Sequence, residues 1–143
     1  MTEHTPANAD DESLAETFWA VASRLRQQTR ESLAPWDVTP SQSRALGVLG
    51  RHGEVRPGTL AEHLRIAPRS ATEVVDDLQT RGLVERRPDP ADRRATLVAL
   101  TDEGNRVSTA IRAARRAEAD RFFGHLGDTD RAELARILRT LRG

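Results

Sequence analysis

The sequence predicts a mainly α-helical chain with one small β-hairpin, a winged helix-turn-helix flanked by N- and C-terminal helices. Apolar residues recur at helical spacing along most of the 143 residues. Two of the predicted helices are joined by about three residues, and the second begins at Pro68, which is typical of a helix-turn-helix. The pattern then becomes extended around a segment rich in proline and aspartate, which indicates a hairpin.

Composition narrows the classes of protein to which the chain can belong. Hydrophobic residues make up 37% and charged residues 31% of the chain, which suits one folded domain. The 22 basic residues are all arginine and are balanced by 22 acids, so a cationic coat is excluded but a local basic patch is not. The absence of cysteine excludes disulfides, thiolate metal sites and cysteine nucleophiles.

The first residues carry acids but no arginine. We expect residues 1–12 to form a disordered acidic tail, because a secretory signal begins basic and then turns apolar. No run of about 18 apolar residues is present, so no membrane span is predicted. These features favour a cytoplasmic protein.

The first two helices have clear boundaries. Apolar residues at i, i+4, i+7, i+8 and i+11 predict a helix from Leu14 to about Leu33, which Pro35 ends. A second helix begins at Thr39, where Gln42 completes a capping box.

The next two helices form the helix-turn-helix. A short third helix follows Pro57, and the fourth begins at Pro68 and buries an inward stripe at i, i+3, i+4 and i+7. Gly82 stands where a left-handed C-terminal cap is required.

The remaining segments are a hairpin and two helices. Residues 83–87 and 96–100 are predicted as strands, and residues 88–95 as the loop between them. Thr101 caps a long helix. Gly124 and Gly127 separate that helix from the last one.

The flanking helices carry apolar stripes that a small winged helix cannot cover alone. We therefore expect residues 13–36 and 101–143 to form dimerisation helices around a DNA-binding part at residues 37–100. A homodimer would present two winged helices to successive major grooves of a palindromic operator in double-stranded DNA. The alternative is a monomer whose terminal helices pack on their own winged helix.

The outward face of the fourth helix is the first candidate DNA contact. Its N-terminal turns combine the positive end of the helix dipole with side chains that bond phosphates and base edges. Asp76 and Asp77 would repel phosphates, so we expect contacts only in the N-terminal half. The candidate residues are Pro68, Arg69, Ser70, Thr72 and Glu73.

The hairpin is the second candidate. Arg86 lies on its outgoing strand, and Arg93 and Arg94 lie at its tip, where an arginine could enter a narrow minor groove. We expect Asp89 and Asp92 to brace the arginines and the turn by side-chain hydrogen bonds. A charge-balanced surface loop is the alternative reading of the same segment.

These motifs carry a resemblance to a known family. The segments Arg81-Gly82-Leu83-Val84-Glu85-Arg86 and Asp89-Pro90-Ala91-Asp92-Arg93-Arg94-Ala95, followed by Leu100-Thr101 and Gly104, resemble the multiple-antibiotic-resistance regulator (MarR) family. That resemblance implies a homodimeric winged-helix transcription factor, usually a repressor that a small aromatic or phenolic ligand releases from DNA.

The resemblance also implies roles for individual residues. Arg93 and Arg94 match the minor-groove wing, Asp92 matches its supporting carboxylate, and residues 68–73 match the major-groove end of the recognition helix. Ala67 departs from the pattern, because relatives often have a capping serine there.

Other chemistry is weakly represented. Trp19 and Trp36 are candidates for lining a ligand cleft, although both also suit core or interface anchors. The histidines lack metal-ligand spacing, and no nucleophile–base pair or phosphate loop is present. We expect no enzyme activity, no metal and no cofactor. The alternative function is a winged-helix module that binds an acidic protein partner.

Overall fold

A computed structural model describes residues 8–143, and the described residues form α-helices and one two-stranded antiparallel sheet, which confirms the predicted fold class. The helices are α1 (Asn8–Ser32), α2 (Pro40–His52), α3 (Pro57–Leu64), α4 (Pro68–Thr80), α5 (Asp102–Phe123) and α6 (Asp128–Arg142), with a 3-10 turn at Ala34–Trp36. The strands are β1 (Val84–Asp89) and β2 (Asp92–Leu100).

The described chain divides into two compact units. The larger unit is Ser32–Ala117, and the smaller unit contains residues 8–31 and Glu118–Gly143. The larger unit therefore includes α5 up to Ala117, which is most of a helix that the sequence grouped with the dimerisation helices. Helix α1 begins at Asn8, so the expected disorder is wrong for residues 8–12, whereas residues 1–7 lie outside the described part.

The larger unit has a closed apolar core. Leu46 from α2, Leu60 from α3 and Leu78 from α4 are almost completely buried. The strands add Val84 and Val98, and α5 adds Ile111. Burial of this kind is the main source of folding free energy, so the core fixes how the helix-turn-helix and the hairpin meet.

The predicted capping box of α2 is confirmed. The Gln42 backbone N–H donates to Thr39 Oγ1 at 3.1 Å, and the Thr39 backbone N–H donates to Gln42 Oε1 at 3.1 Å. The reciprocal pair satisfies two N–H groups that an α-helix leaves without partners at its start.

The connection between α3 and α4 is a three-residue turn, as predicted. Arg65 adopts a left-handed conformation with φ 54°, and the Ile66 N–H donates to the Ala61 carbonyl at 3.2 Å. Ala67 is extended at φ −62° and ψ 146°, which suits a residue before proline, and Pro68 starts α4. The predicted inward stripe of α4 is confirmed at its buried members Ala71, Val75 and Leu78.

The hairpin is longer than predicted. Pro88 pairs with Thr96, and Asp89 pairs with Asp92, so both strands extend into the segment expected to be a loop. Three residues of β2, numbers 93–95, fall opposite the single step from Pro88 to Asp89 and form an irregularity in the ladder. Proline has no backbone N–H to donate to a neighbouring strand. It is tolerated here because both strands of a two-stranded sheet are edge strands.

A tight corner joins the end of α4, the base of the hairpin and the start of α5. Gly82 has φ 75°, as predicted for a left-handed cap, and its carbonyl accepts a hydrogen bond from Thr101 Oγ1 at 2.6 Å. Thr101 Oγ1 accepts in turn from the Gly104 N–H at 3.0 Å, which confirms the predicted cap. A Cβ at Gly104 would lie 1.8 Å from the Leu83 carbonyl oxygen, so the corner requires glycine there.

The smaller unit has no closed core. None of the side chains of residues 13–31 and 118–143 is buried. Exposed fractions reach 71% at Leu14, 61% at Trp19 and 73% at Leu141. A cavity of about 340 Å³ between the end of α5 and α6 is lined by Ala119, Asp120, Phe123, Arg131, Leu134, Ala135 and Leu138.

Across residues 8–143, no helix combines the length and the hydropathy that a bilayer span requires.

Candidate nucleic-acid interface

The first two turns of α4 present the predicted polar face. Arg69, Ser70, Thr72 and Glu73 are all exposed. Thr72 Oγ1 donates to the Pro68 carbonyl at 3.0 Å, which leaves its oxygen lone pairs free to accept. Ala67 provides no side-chain cap, so the backbone N–H groups at the positive end of the helix remain available to an anion.

Arg86 is engaged on α4 and is not presented at the hairpin tip. Its guanidinium donates to Asp76 Oδ1 at 2.6 Å and to Gln79 Oε1, and its side chain is 29% exposed. The expected DNA contact of Arg86 stays a prediction, and in this structure its guanidinium is paired within the protein. The same ion pair neutralises Asp76, one of the two carboxylates that the sequence analysis expected to repel phosphates.

Arg87 is also paired inside the protein. Its guanidinium donates to Glu85 Oε1 and lies 3.6 Å from Glu54 Oε2, and the hydrogen bond that it donates to Glu85 is the main cause of its raised pKa. The two arginines of the outgoing strand thus have carboxylate partners.

Arg93 and Arg94 differ from the two arginines of β1. Both are exposed, and neither makes an ion pair or a side-chain hydrogen bond within residues 8–143. They lie in the irregular part of β2, where the ladder gives them no partner residue. Asp92 Oδ1 accepts from the Arg94 backbone N–H at 3.0 Å, so this carboxylate braces the turn and leaves both guanidinium groups unpaired.

Asp89 holds the root of the hairpin tip. It is 8% exposed, and its Oδ2 accepts from Arg56 Nε at 3.1 Å and from Arg56 Nη2 at 2.8 Å. Its Oδ1 accepts from the Ala91 N–H at 2.9 Å. The hydrogen bond from Ala91, followed by that from Arg56, lowers the pKa of Asp89. Asp89 therefore braces the turn as expected, but the arginine it holds is Arg56.

Sequence reasoning missed Arg56, because 33 residues separate it from Asp89 and no local pattern links them. Val55 gives the same region a second tie, since it exchanges backbone hydrogen bonds of 3.1 and 2.7 Å with Val98. These contacts fix the direction of the hairpin relative to the start of α3.

The two candidate ligand-binding tryptophans lie in different environments. Trp19 belongs to the smaller unit, is 61% exposed and meets the Phe18 ring edge-on at a centroid distance of 6.0 Å. Trp36 belongs to the larger unit and packs, partly buried, against its core.

Comparison with known proteins identifies relatives of the same architecture. The model of the MarR family matches residues 36–95. The HTH-type transcriptional repressor MdtR of Bacillus subtilis is 29% identical over 122 residues, which are 85% of this chain and 79% of that protein. The HTH-type transcriptional regulator Mb0904 of Mycobacterium bovis is 34% identical over 123 residues, which are 86% of this chain and 84% of that protein.

Solved structures agree with these relatives. The crystal structure of the YusO protein from Bacillus subtilis matches with a TM-score of 0.82 and 26% identity, over 96% of this chain and 98% of that one. The chain thus combines a helix-turn-helix and an arginine-tipped hairpin with similarity over most of the length of these regulators, and it belongs to the MarR family, whose members are DNA-binding transcriptional regulators and not enzymes.

Proposed function

We propose that this protein is a repressor that acts in the cytoplasm and binds a palindromic operator as a homodimer. The N-terminal half of α4 enters the major groove, where Arg69, Ser70, Thr72 and Glu73 meet phosphates and base edges. The hairpin tip enters the adjacent minor groove. The repressor MdtR, which is similar over most of the chain, supports the sign of the regulation.

One observation carries the proposed DNA contact. Arg93 and Arg94 are exposed and unpaired within residues 8–143, whereas Arg86 and Arg87 of the same hairpin have carboxylate partners. An exposed guanidinium without a competing carboxylate is the group that a narrow, electronegative minor groove attracts. The Asp89–Arg56 contact fixes the root of this tip and so reduces the entropy lost on binding.

Selection of random duplexes by the purified protein, followed by footprinting, tests this proposal. We expect a twofold-symmetric footprint with half-site centres about 34 Å apart. Arg93→Ala and Arg94→Ala should each weaken specific binding by about 1–3 kcal/mol and reduce its salt dependence. Arg106→Ala is the control, because Arg106 is exposed on α5 and paired with Glu103.

Unchanged affinity in the double variant would remove the hairpin tip from the proposed interface. Loss of a protein complex by the same variant, with no duplex selected, would favour the module that binds an acidic protein.

The homodimer is supported by the smaller unit. Exposure of its apolar side chains to water costs free energy, and a second copy of the chain would cover them. These side chains include Leu14, Phe18, Trp19, Ile137 and Leu141. Sedimentation at micromolar concentration should show a dimer. Ile137→Gln combined with Leu141→Gln should shift it toward monomer, whereas Arg139→Gln on the opposite face of α6 should not. A native protein that remains monomeric at all concentrations would contradict the dimer.

Release by a small aromatic or phenolic ligand is the least supported part of the proposal. Its support is the exposed ring of Trp19, which offers a stacking surface that the core-packed Trp36 lacks. Benzoate and phenol, titrated into the operator complex, are the probes. We expect release that Trp19→Leu abolishes and Trp36→Leu retains. If both probes leave the native complex intact, neither compound is an effector.

A further inference from the structure

The ion pair of Arg56 with Asp89 differs from the other ion pairs of the hairpin in which partner faces the solvent. The Arg56 side chain is 51% exposed, whereas the Asp89 side chain is 12% exposed. In the pair of Arg86 with Asp76 the carboxylate is the more exposed partner. The carboxylates that pair with Arg87 are about as exposed as its guanidinium. A phosphate approaching the hairpin would therefore meet a carboxylate at those pairs but a guanidinium at Arg56.

Arg56 also retains hydrogen-bond donors that Asp89 does not use. Its Nε and Nη2 both donate to one carboxylate oxygen, Asp89 Oδ2, at 3.1 and 2.8 Å. A guanidinium carries five N–H groups, so the two on Nη1 and one on Nη2 are left. Within residues 8–143, no other acceptor takes a hydrogen bond from them. These groups suit a phosphate oxygen, because the guanidinium fork matches the geometry of oxyanions.

The backbone on both sides of Arg56 is held in place. Before it, Val55 exchanges backbone hydrogen bonds with Val98 of β2. After it, α3 begins, and the Arg56 carbonyl accepts from the Leu60 N–H at 3.0 Å. The carboxylate of Asp89 then fixes the end of the side chain. A guanidinium that is ordered in advance loses less conformational entropy when it makes a contact.

Arg56 lies beside the hairpin tip that the proposed function places in the minor groove. Asp89 is the register partner of Asp92. Arg93 and Arg94 follow Asp92 directly, so the guanidinium of Arg56 meets the hairpin where the unpaired arginines begin. A tip that enters a narrow minor groove passes the phosphates on the rim of that groove. The root of the tip, where Arg56 is bound, is therefore the part that comes close to those phosphates.

We propose that Arg56 binds a phosphate of the DNA backbone at the rim of the groove that the hairpin tip enters. Asp89 is the buried carboxylate that holds the guanidinium, and the unused donors bind the phosphate. A contact of this kind adds affinity but no preference for a base sequence. The inference rests on the proposed function and extends it, because none of the contacts proposed above lies before α4.

The salt dependence of binding tests this contact, because an arginine that neutralises a phosphate releases counterions. Arg56→Gln keeps an amide that can donate to Asp89 but removes the charge. Fluorescence anisotropy with the selected duplex should show an affinity about tenfold lower in about 0.1 M salt. The slope of log K against log[salt] should become shallower by about 0.9. Arg56→Lys retains the charge and should retain the native slope.

Arg106→Gln is the matched control. Arg106 also donates from Nε and Nη2 to a single carboxylate oxygen, Glu103 Oε2, but these hydrogen bonds lie within α5. This variant should keep the native affinity and slope. Among duplexes that carry single base changes, Arg56→Gln should keep the native order of preference, because a phosphate contact weakens all of them alike.

Asp89→Asn separates a DNA contact from a purely bracing role of Arg56. It weakens the tie to the hairpin but keeps the charge of Arg56, so its salt slope should be no shallower than that of the native chain. Equally shallow slopes in Asp89→Asn and Arg56→Gln would overturn the proposal, because both would then act by displacing the tip. An unchanged slope in Arg56→Gln would overturn it as well. A native chain that binds no duplex contradicts the proposed function itself, so the two failures are distinguishable.

Discussion

The two units of the chain bury their apolar residues to very different extents. In the larger unit, the core closes over Leu46, Leu60 and Leu78. In the smaller unit, comparable leucines and aromatics remain open to solvent, as Leu141 and Trp19 illustrate. The larger unit therefore closes its own core, whereas the terminal helices leave an apolar surface exposed that the proposed dimer would cover. A monomer would gain little from such a surface.

The comparison is sharpest when leucines of the two units are truncated. Leu46→Ala should lower the free energy of unfolding by about 2–5 kcal/mol, because it leaves a cavity in a closed core. Leu141→Ala should cost less than about 0.5 kcal/mol at concentrations where the chain is monomeric. Urea denaturation across a dilution series measures both. Equal losses of unfolding free energy in the two variants at low protein concentration would contradict the distinction between the units.

The corner at Gly104 tests whether the larger unit is as rigid as its core suggests. Gly104→Ala should destabilise by about 1–3 kcal/mol, because the new Cβ would meet the Leu83 carbonyl and force the backbone to move. Gly58→Ala is the control: it lies in α3, where a Cβ meets nothing within 4 Å, and should be neutral or stabilising by up to about 1 kcal/mol. Similar urea midpoints of unfolding for the two variants would mean that the backbone of the corner shifts at little cost.

Helix capping should matter by a smaller amount. Thr39→Ala removes the hydroxyl that accepts from the Gln42 N–H and should cost about 1 kcal/mol. Thr39→Ser retains an acceptor and should recover most of that loss. Chemical denaturation monitored by circular dichroism measures the difference, and an undiminished stability of the alanine variant would show that solvent replaces the cap.

The smallest expected effect concerns Asp89 and pH. Hydrogen bonds from Ala91 and Arg56 lower its pKa below the usual value of about 3.9, so the ionised carboxylate stabilises the fold above that pH. This contribution is lost as the pH falls through the lowered pKa. Native protein should therefore lose stability more steeply below about pH 4 than Asp89→Asn, in urea titrations from pH 7 to pH 3. Parallel curves for the two proteins would contradict the assignment.

Local sequence signals predicted most of the fold. Contacts and backbone preferences between near neighbours in sequence mark the boundaries of the helices. The structure confirms the capping box of α2, the start of α4 at Pro68 and the left-handed Gly82 after α4. The length of the two strands of the hairpin was underestimated, because the prolines and aspartates of residues 88–95 indicate a loop. The long-range contacts of Asp89 with Arg56 and of Val55 with Val98 accompany its extension.

The candidate site was predicted as a set of residues but not as a set of contacts. Sequence analysis grouped Arg86, Arg93 and Arg94 as candidate DNA contacts of one hairpin. The structure separates them, because Asp76 on α4 comes within hydrogen-bond distance of Arg86 and no carboxylate of the described chain does so for the other two. Pairing of that kind depends on how two elements pack, which one sequence does not encode locally. The DNA contacts themselves stay predictions.

The corner of Gly82, Thr101 and Gly104 has a consequence for how such a protein can diversify. Its hydrogen bonds and its missing Cβ anchor the root of the hairpin to the two helices beside it. Unpaired residues of the tip, such as Arg93 and Arg94, can therefore be exchanged without disturbing the helices. Substitutions at the tip could therefore change which DNA sequence it prefers, while the helices that hold the hairpin stay the same.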